Sequence, residues 1–220
     1  MSRIRRSAVL TSGVLVCLLA APTGGPAVAA TPGFTSSVSR VTAKDLPHSW
    51  RSGCPVGPAQ LRAVQLAFWG FDARRHTGRI VVHEQVVAAT TAVFGRLYAA
   101  RFPVRSIRPV DDFGGSDDRS MAADNTSGFN CRKAVASGPP RWSVHAYGKA
   151  IDINPVENPY VQSRRVDPPA GRAFAKRTPY RAGMAVAGGT AVRAFSVSGW
   201  AWGGRWAGTP DYQHFSATGG

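Results

Sequence analysis

Acidic residues are scarce in this chain. Its 220 residues hold 12 Asp and Glu against 27 Lys and Arg, for a formal charge of +15. A surface of that sign attracts polyanions. The basic residues form no block interleaved with aromatics, so no nucleic-acid partner is expected. Long apolar runs are missing beyond the N-terminus. Met1–Arg6 (M-S-R-I-R-R) is basic, Ala8–Ala21 is apolar but short for a bilayer span, and Ala27-Val28-Ala29 offers the small residues a signal peptidase accepts. These features predict a secretory signal over residues 1–30, an exported soluble remainder and no membrane insertion once the signal is removed. A lipid anchor at Cys17 is excluded because Val16 stands where a lipobox needs a small residue.

Cysteine is nearly absent as well. Cys17 would leave with the signal, so only Cys54 and Cys131 remain. In an oxidising compartment a lone pair reads most simply as a disulfide. It would close a long loop and stabilise by roughly 2–5 kcal/mol. The rival reading, a cysteine nucleophile beside a histidine, fits that compartment poorly. There is no internal repeat and no G-x-S-x-G elbow, which counts against a serine hydrolase. His83-Glu84 opens like a zincin motif, but Val87 occupies the place of the second histidine.

What is present describes one folded domain. Hydrophobic residues make up 44% of the chain, enough for an ordinary core. Thr31–Ser49 is polar and without periodicity, so residues 31–50 read as a tail or linker and 51–220 as the domain. From Pro58, A-Q-L-R-A-V-Q-L-A-F-W-G-F fits a short helix or a strand; Arg79–Val82 reads as a strand. Val86, Val87, Val93, Phe94, Leu97 and Tyr98 have the spacing of an amphipathic helix that ends before Pro103. Val104–Val110 reads as a strand, Asp111–Gly128 as a long polar loop and Phe129–Lys133 as a short strand. Pro155–Gly189 reads as mostly loop, followed by a helix near Thr190–Val197. Short mixed signals of this kind predict an α+β fold.

One stretch concentrates the chemistry: S-V-H-A-Y-G-K-A-I-D-I-N-P-V-E-N-P-Y from Ser143 to Tyr160. His145 sits in a turn that Gly148 allows to be tight. In A-I-D-I, Ile151 and Ile153 face one side and Asp152 the other. Near the C-terminus, D-Y-Q-H-F carries Asp211 and His214 three residues apart. Two imidazoles and one carboxylate form a known catalytic zinc ligand set with a position left for water. A turn histidine with a capping aspartate would look the same, and spacing alone leaves both open.

Ser143, His145, Gly148, Ala150 and Asp152 spell S-x-H-x-x-G-x-A-x-D. This resembles the signature of zinc D-alanyl-D-alanine carboxypeptidases of the VanY type, relatives of L-alanyl-D-glutamate endopeptidases. W-G-G-R-W…D-Y-Q-H-F is similar to that family's closing motif, so the resemblance runs from about Cys54 to Phe215. It implies a small antiparallel sheet with helices packed on it, the hedgehog/D-Ala-D-Ala peptidase-like zinc fold. It implies Zn2+ held by His145, Asp152 and His214, with Asp211 as general base where many members carry glutamate. It also implies a substrate-holding or carbonyl-polarising arginine upstream, for which Arg132 is the nearest match and Arg119 the second.

Ser143 either binds substrate or caps its turn. Tyr147, Tyr160, Trp202 and Trp206 are candidates for the cleft wall, with core packing as the alternative, the reading favoured for Trp200. Glu157 is a rival base. The expected function is an exported hydrolase, a metallopeptidase acting on peptidoglycan stem peptides, first as a D-alanyl-D-alanine carboxypeptidase. The alternatives are an endopeptidase or a non-catalytic, zinc-containing wall-binding module. A secreted, cell-wall-associated monomer is expected.

Overall fold

The computed structural model describes residues 33–135 and 139–219. The segment read as a signal peptide, with Cys17, lies outside them. Strands β1 (Ser36–Arg40), β2 (Leu61–Trp69) and β3 (Arg75–His83) form an antiparallel sheet in the order β1-β2-β3. The run from Pro58, ambiguous between helix and strand, is therefore the strand β2. Its ambiguity has a structural cause, because both of its faces are covered. Val64, Leu66 and Phe68 join the main core, while Leu61 and Ala63 join a second core on the other side.

Helix α1 (Val87–Ala99) follows a single turn over Glu84–Val86 and packs Val93, Phe94 and Leu97 into the main core, as its apolar spacing predicts. The His83 side chain caps that turn by accepting from the Gln85 amide.

The stretch read as a tail is part of the fold. β1 pairs with β2 over its full length, and Leu46 is buried beside Val41, Val56 and Phe129 in the second core. Nothing in S-S-V-S-R alternates in hydrophobicity, because all five residues of β1 are exposed. The Cys54–Cys131 disulfide forms, tying this N-terminal segment to the middle of the chain.

The segment Asp111–Gly128 is not a plain loop. It holds helix α2 (Asp117–Ala122) and strand β5 (Asn125–Thr126), which pairs in parallel with β4 (Ser106–Ile107). The strand expected over Val104–Val110 shrinks to β4. The one expected over Phe129–Lys133 is replaced by an isolated bridge between Lys133 and Trp142.

The remaining elements are β6 (Ala150–Asp152), the hairpin β7 (Tyr160–Gln162) and β8 (Arg165–Asp167), α3 (Thr190–Ser196), β9 (Ala201–Trp202) and β10 (His214–Ser216). A second antiparallel sheet runs β6-β10-β9. Its inner residues Ile151 and Phe215 meet Phe195 of α3 and Phe94 of α1 in the same core, with Phe195 and Phe215 stacked at 3.8 Å. The architecture is α+β, with several small sheets rather than one.

Candidate metal centre

Pairing of β6 with β10 builds the site. Asp152 and His214 are direct cross-strand partners, so their side chains emerge on the same face. Asp152 exchanges two backbone hydrogen bonds of 3.0 Å with Ser127, which fixes the strand's outer edge. Ile151 and Ile153 point into the core, which turns Asp152 to the opposite side as the alternation predicts.

His145 arrives from the turn Val144–Tyr147, which is capped by the Ser143 hydroxyl and closed by Gly148 at φ +65°. A Cβ at Gly148 would lie 2.7 Å from the His83 amide nitrogen, so the turn can press against β3 only with glycine there. Gly128 makes a similar close approach, 2.4 Å from a built Cβ to the Val81 carbonyl oxygen. That approach aims the Gly128 carbonyl at His145, whose Nδ1–H donates to it at 2.7 Å. The bond fixes the tautomer and leaves Nε2 bare toward the site.

Three side chains then converge. His145 Nε2 lies 3.1 Å from Asp152 Oδ2 and 3.2 Å from His214 Nδ1, and His214 Nδ1 lies 3.1 Å from Asp152 Oδ1. All three residues are buried. Tetrahedral zinc with bonds of ~2.0–2.1 Å to nitrogen and oxygen has ligand–ligand edges of about 3.3 Å. The donor types and their spacing both fit zinc.

Charge at the site follows from burial and proximity. Burial opposes ionisation of Asp152, but His145 and then His214 outweigh it and hold the carboxyl well below its usual range. Burial works against a proton on His145, yet the Asp152 charge raises its affinity for one. Burial lowers that of His214. A cation bound among these groups replaces protons as the partner of Asp152.

Asp211 and Arg132 join this cluster around a cavity of about 520 Å³. Asp211 Oδ1 is buried without a hydrogen-bond partner among the described residues. Burial first, and then the Asp152 charge, push its carboxyl well above the ordinary range. Burial disfavours charge on Arg132, but an ion pair with Asp117 at 2.9 Å overcomes it and keeps the guanidinium charged. Asp117 is fixed in turn by the Asn130 side-chain amide, which donates to its Oδ1 at 3.3 Å.

The wall candidates divide. Ser143 caps the turn and also lines the cavity, and Tyr160 lines it too. Arg119 does not line it: it sits exposed on α2 with its guanidinium against the Gly114 carbonyl. Tyr147 is exposed outside it, since the turn that carries His145 inward sends Tyr147 outward. Trp202 is core, its Nε1–H donating to the Tyr212 carbonyl; the wall tryptophan is Trp206, 5.2 Å from the His214 ring. Glu157 lies outside the cavity beside Arg105 and Asp124, so it is no rival base. Sequence reading missed Asp117. The local signal was there, in Ser116 followed by two acids at a helix start.

Residues 137–217 match a protein-family model described as D-alanyl-D-alanine carboxypeptidase. The match covers less than half of the chain, shorter than the Cys54–Phe215 resemblance. It includes His145, Asp152, Asp211 and His214 and stops short of Arg132 and the first sheet. The C-terminal part of the chain is therefore similar to a family of peptidases. No curated protein and no solved structure matches the chain.

Proposed function

We propose that this protein is an exported zinc metallopeptidase of the VanY type that hydrolyses a peptide bond of the peptidoglycan stem, as a D-alanyl-D-alanine carboxypeptidase. One observation carries the reading. The buried His145–Asp152–His214 set opens onto a cavity that also holds an unpaired carboxyl oxygen and a charged guanidinium. A structural zinc site has its ligands closed around the ion, whereas this one has three donors, a cavity and an acid–base group beside them.

Zinc bound there supplies Lewis acidity and lowers the pKa of a water molecule to near neutrality. The chain's own residues do the rest. Asp211 takes a proton from the attacking water at its free carboxylate oxygen and returns it to the leaving amine nitrogen. Arg132 donates hydrogen bonds to the scissile carbonyl oxygen as that oxygen gains negative charge. Asp117 keeps Arg132 aimed, so little reorganisation is needed during the reaction. Trp206 and Tyr160 wall the cleft, and Arg141 and Arg165 on its rim suit a peptide that ends in a carboxylate. The N-terminal leader, the disulfide and the basic composition support a place outside the cell, against an acidic wall.

The test is mass spectrometry of muropeptides after incubation with zinc-loaded protein, with and without chelator. Chelator-sensitive loss of one terminal alanine is the expected result. Release of a longer peptide would make the enzyme an endopeptidase, and no product at all would leave a binding module.

A further inference from the structure

The stretch between β8 and α3 contains a half-buried cation, Arg177, whose hydrogen-bond acceptors among the described residues are all neutral. Arg177 Nη1 donates to the carbonyls of Glu157 at 2.7 Å and Phe174 at 2.8 Å; Nη2 donates to Asn158 Oδ1 at 2.7 Å and the Ala185 carbonyl at 2.8 Å. Burial lowers its pKa to about 10. A guanidinium kept charged there with only neutral acceptors costs stability, so its geometry has to accomplish something the fold needs.

Its flat face shows what that is. Arg177 Cζ lies 4.4 Å from the centre of the Tyr212 ring. Tyr212 is the residue between Asp211 and the Gln213-His214 pair, and its carbonyl accepts from Trp202 Nε1 at 2.9 Å. The other end of the network reaches the first ligand strand. Asn158 Nδ2 donates to the carbonyl of Ile153, the residue after Asp152, at 3.0 Å. Arg177 therefore spans the segment behind Asp152 and the turn that carries Asp211. His214 is held against Asp152 by strand pairing, whereas Asp211 precedes β10 and is held by an isolated bridge to Tyr160 and by its amide bond to the Gly203 carbonyl at 3.1 Å, with Tyr212 as the next residue.

We propose that Arg177 is a positioning residue that sets the place of Asp211 at the site by stacking on Tyr212. The inference rests on the hydrolase reading for its effect on rate, and on the geometry alone for its effect on the turn.

Arg177→Lys keeps the charge and loses both the planar fork and the stack. In zinc-loaded protein, kcat is expected to fall about ten- to a hundred-fold, with KM and zinc affinity unchanged. Amide hydrogen exchange is expected to rise over residues 203–213 and not over 145–152. Tyr212→Leu removes the stack and the contact with the Trp202 ring but keeps the hydrogen bonds of Arg177, and should reproduce the local exchange if the lysine variant folds poorly. Unchanged exchange over 203–213, or exchange raised throughout with a lower Tm, would overturn the proposal. Wild-type protein that releases no product defeats the hydrolase reading instead, and the exchange pattern still decides the role of Arg177.

Discussion

The two sheets are stabilised by different means. Around β1–β2–β3 and α1, the buried side chains are mainly Leu, Val, Ile and Phe, with Ser49, His83 and Thr90 as the buried polar exceptions. Around β6–β10–β9 the interior includes Asn125, Thr126, Asn130, His145, Asp152, Asn154, Asn158, Gln213 and His214. Apolar burial contributes at each position independently, at roughly 25 cal/mol per Å². A polar interior holds only while its groups are paired. Three of the unpaired buried atoms, Asp211 Oδ1, Gln213 Oε1 and His214 Nε2, fall within four consecutive residues. These unsatisfied groups lie at the entry to β10 and line the same cavity as His145 and Asp152.

The sharpest break of this contrast is Asp211→Ala. It removes an acid that the fold leaves unpaired, so Tm should hold or rise, zinc affinity should stay within a few-fold, and kcat should fall about 10²–10⁴-fold. Loss of zinc in this variant, read by competition with a chromophoric chelator, would make Asp211 a ligand and dissolve the separation of ligand from base. Next in size is Phe94→Ala in the apolar half, expected to cost about 3–5 kcal/mol. Phe94 shares one core with Ile151, Phe195 and Phe215, so circular dichroism and tryptophan fluorescence should report a single transition at a lower temperature. Two separate transitions would show that the halves fold independently.

Legibility in the sequence follows the same division. α1 was readable because its apolar residues recur at helical spacing. His145 and Asp152 stand out locally, through the turn at Gly148 and the alternation in A-I-D-I, whereas their grouping with His214 as candidate ligands rests on the motif resemblance. β1 was not, since a fully exposed edge strand has no apolar alternation to see. α2 was hidden by its composition, although Ser116 caps it and Asp117 and Asp118 favour its N-terminus. Tyr147 and Trp202 were misplaced for a different reason. Which side of a turn or a short strand faces a cavity depends on partners outside that segment, here β3 against Gly148 and Tyr212 against Trp202.

The smallest expected effect concerns an acid in the polar half that the site does not use. Glu157 is buried beside Asp124 and 3.7 Å from Arg105. Burial first, and then the neighbouring Asp124 carboxylate, raise its pKa from 4.5 to about 8, more than Arg105 offsets. Between those two values the folded chain keeps a proton that the unfolded chain has lost. Stability from this group is therefore fully present below about pH 4.5 and is lost as pH rises toward 8. Glu157→Gln preserves the neutral shape and removes the titration. In zinc-loaded protein, where the ligand carboxylate is occupied, the wild-type Tm should fall between pH 5 and pH 8 by more than that of the variant. The gap should be several degrees and at most about 10 °C, at roughly 2–4 °C per kcal/mol for a chain of this size. Equal slopes for the two proteins would mean that Arg105 keeps Glu157 ionised, and that the polar half tolerates a buried acid by pairing it rather than by protonating it.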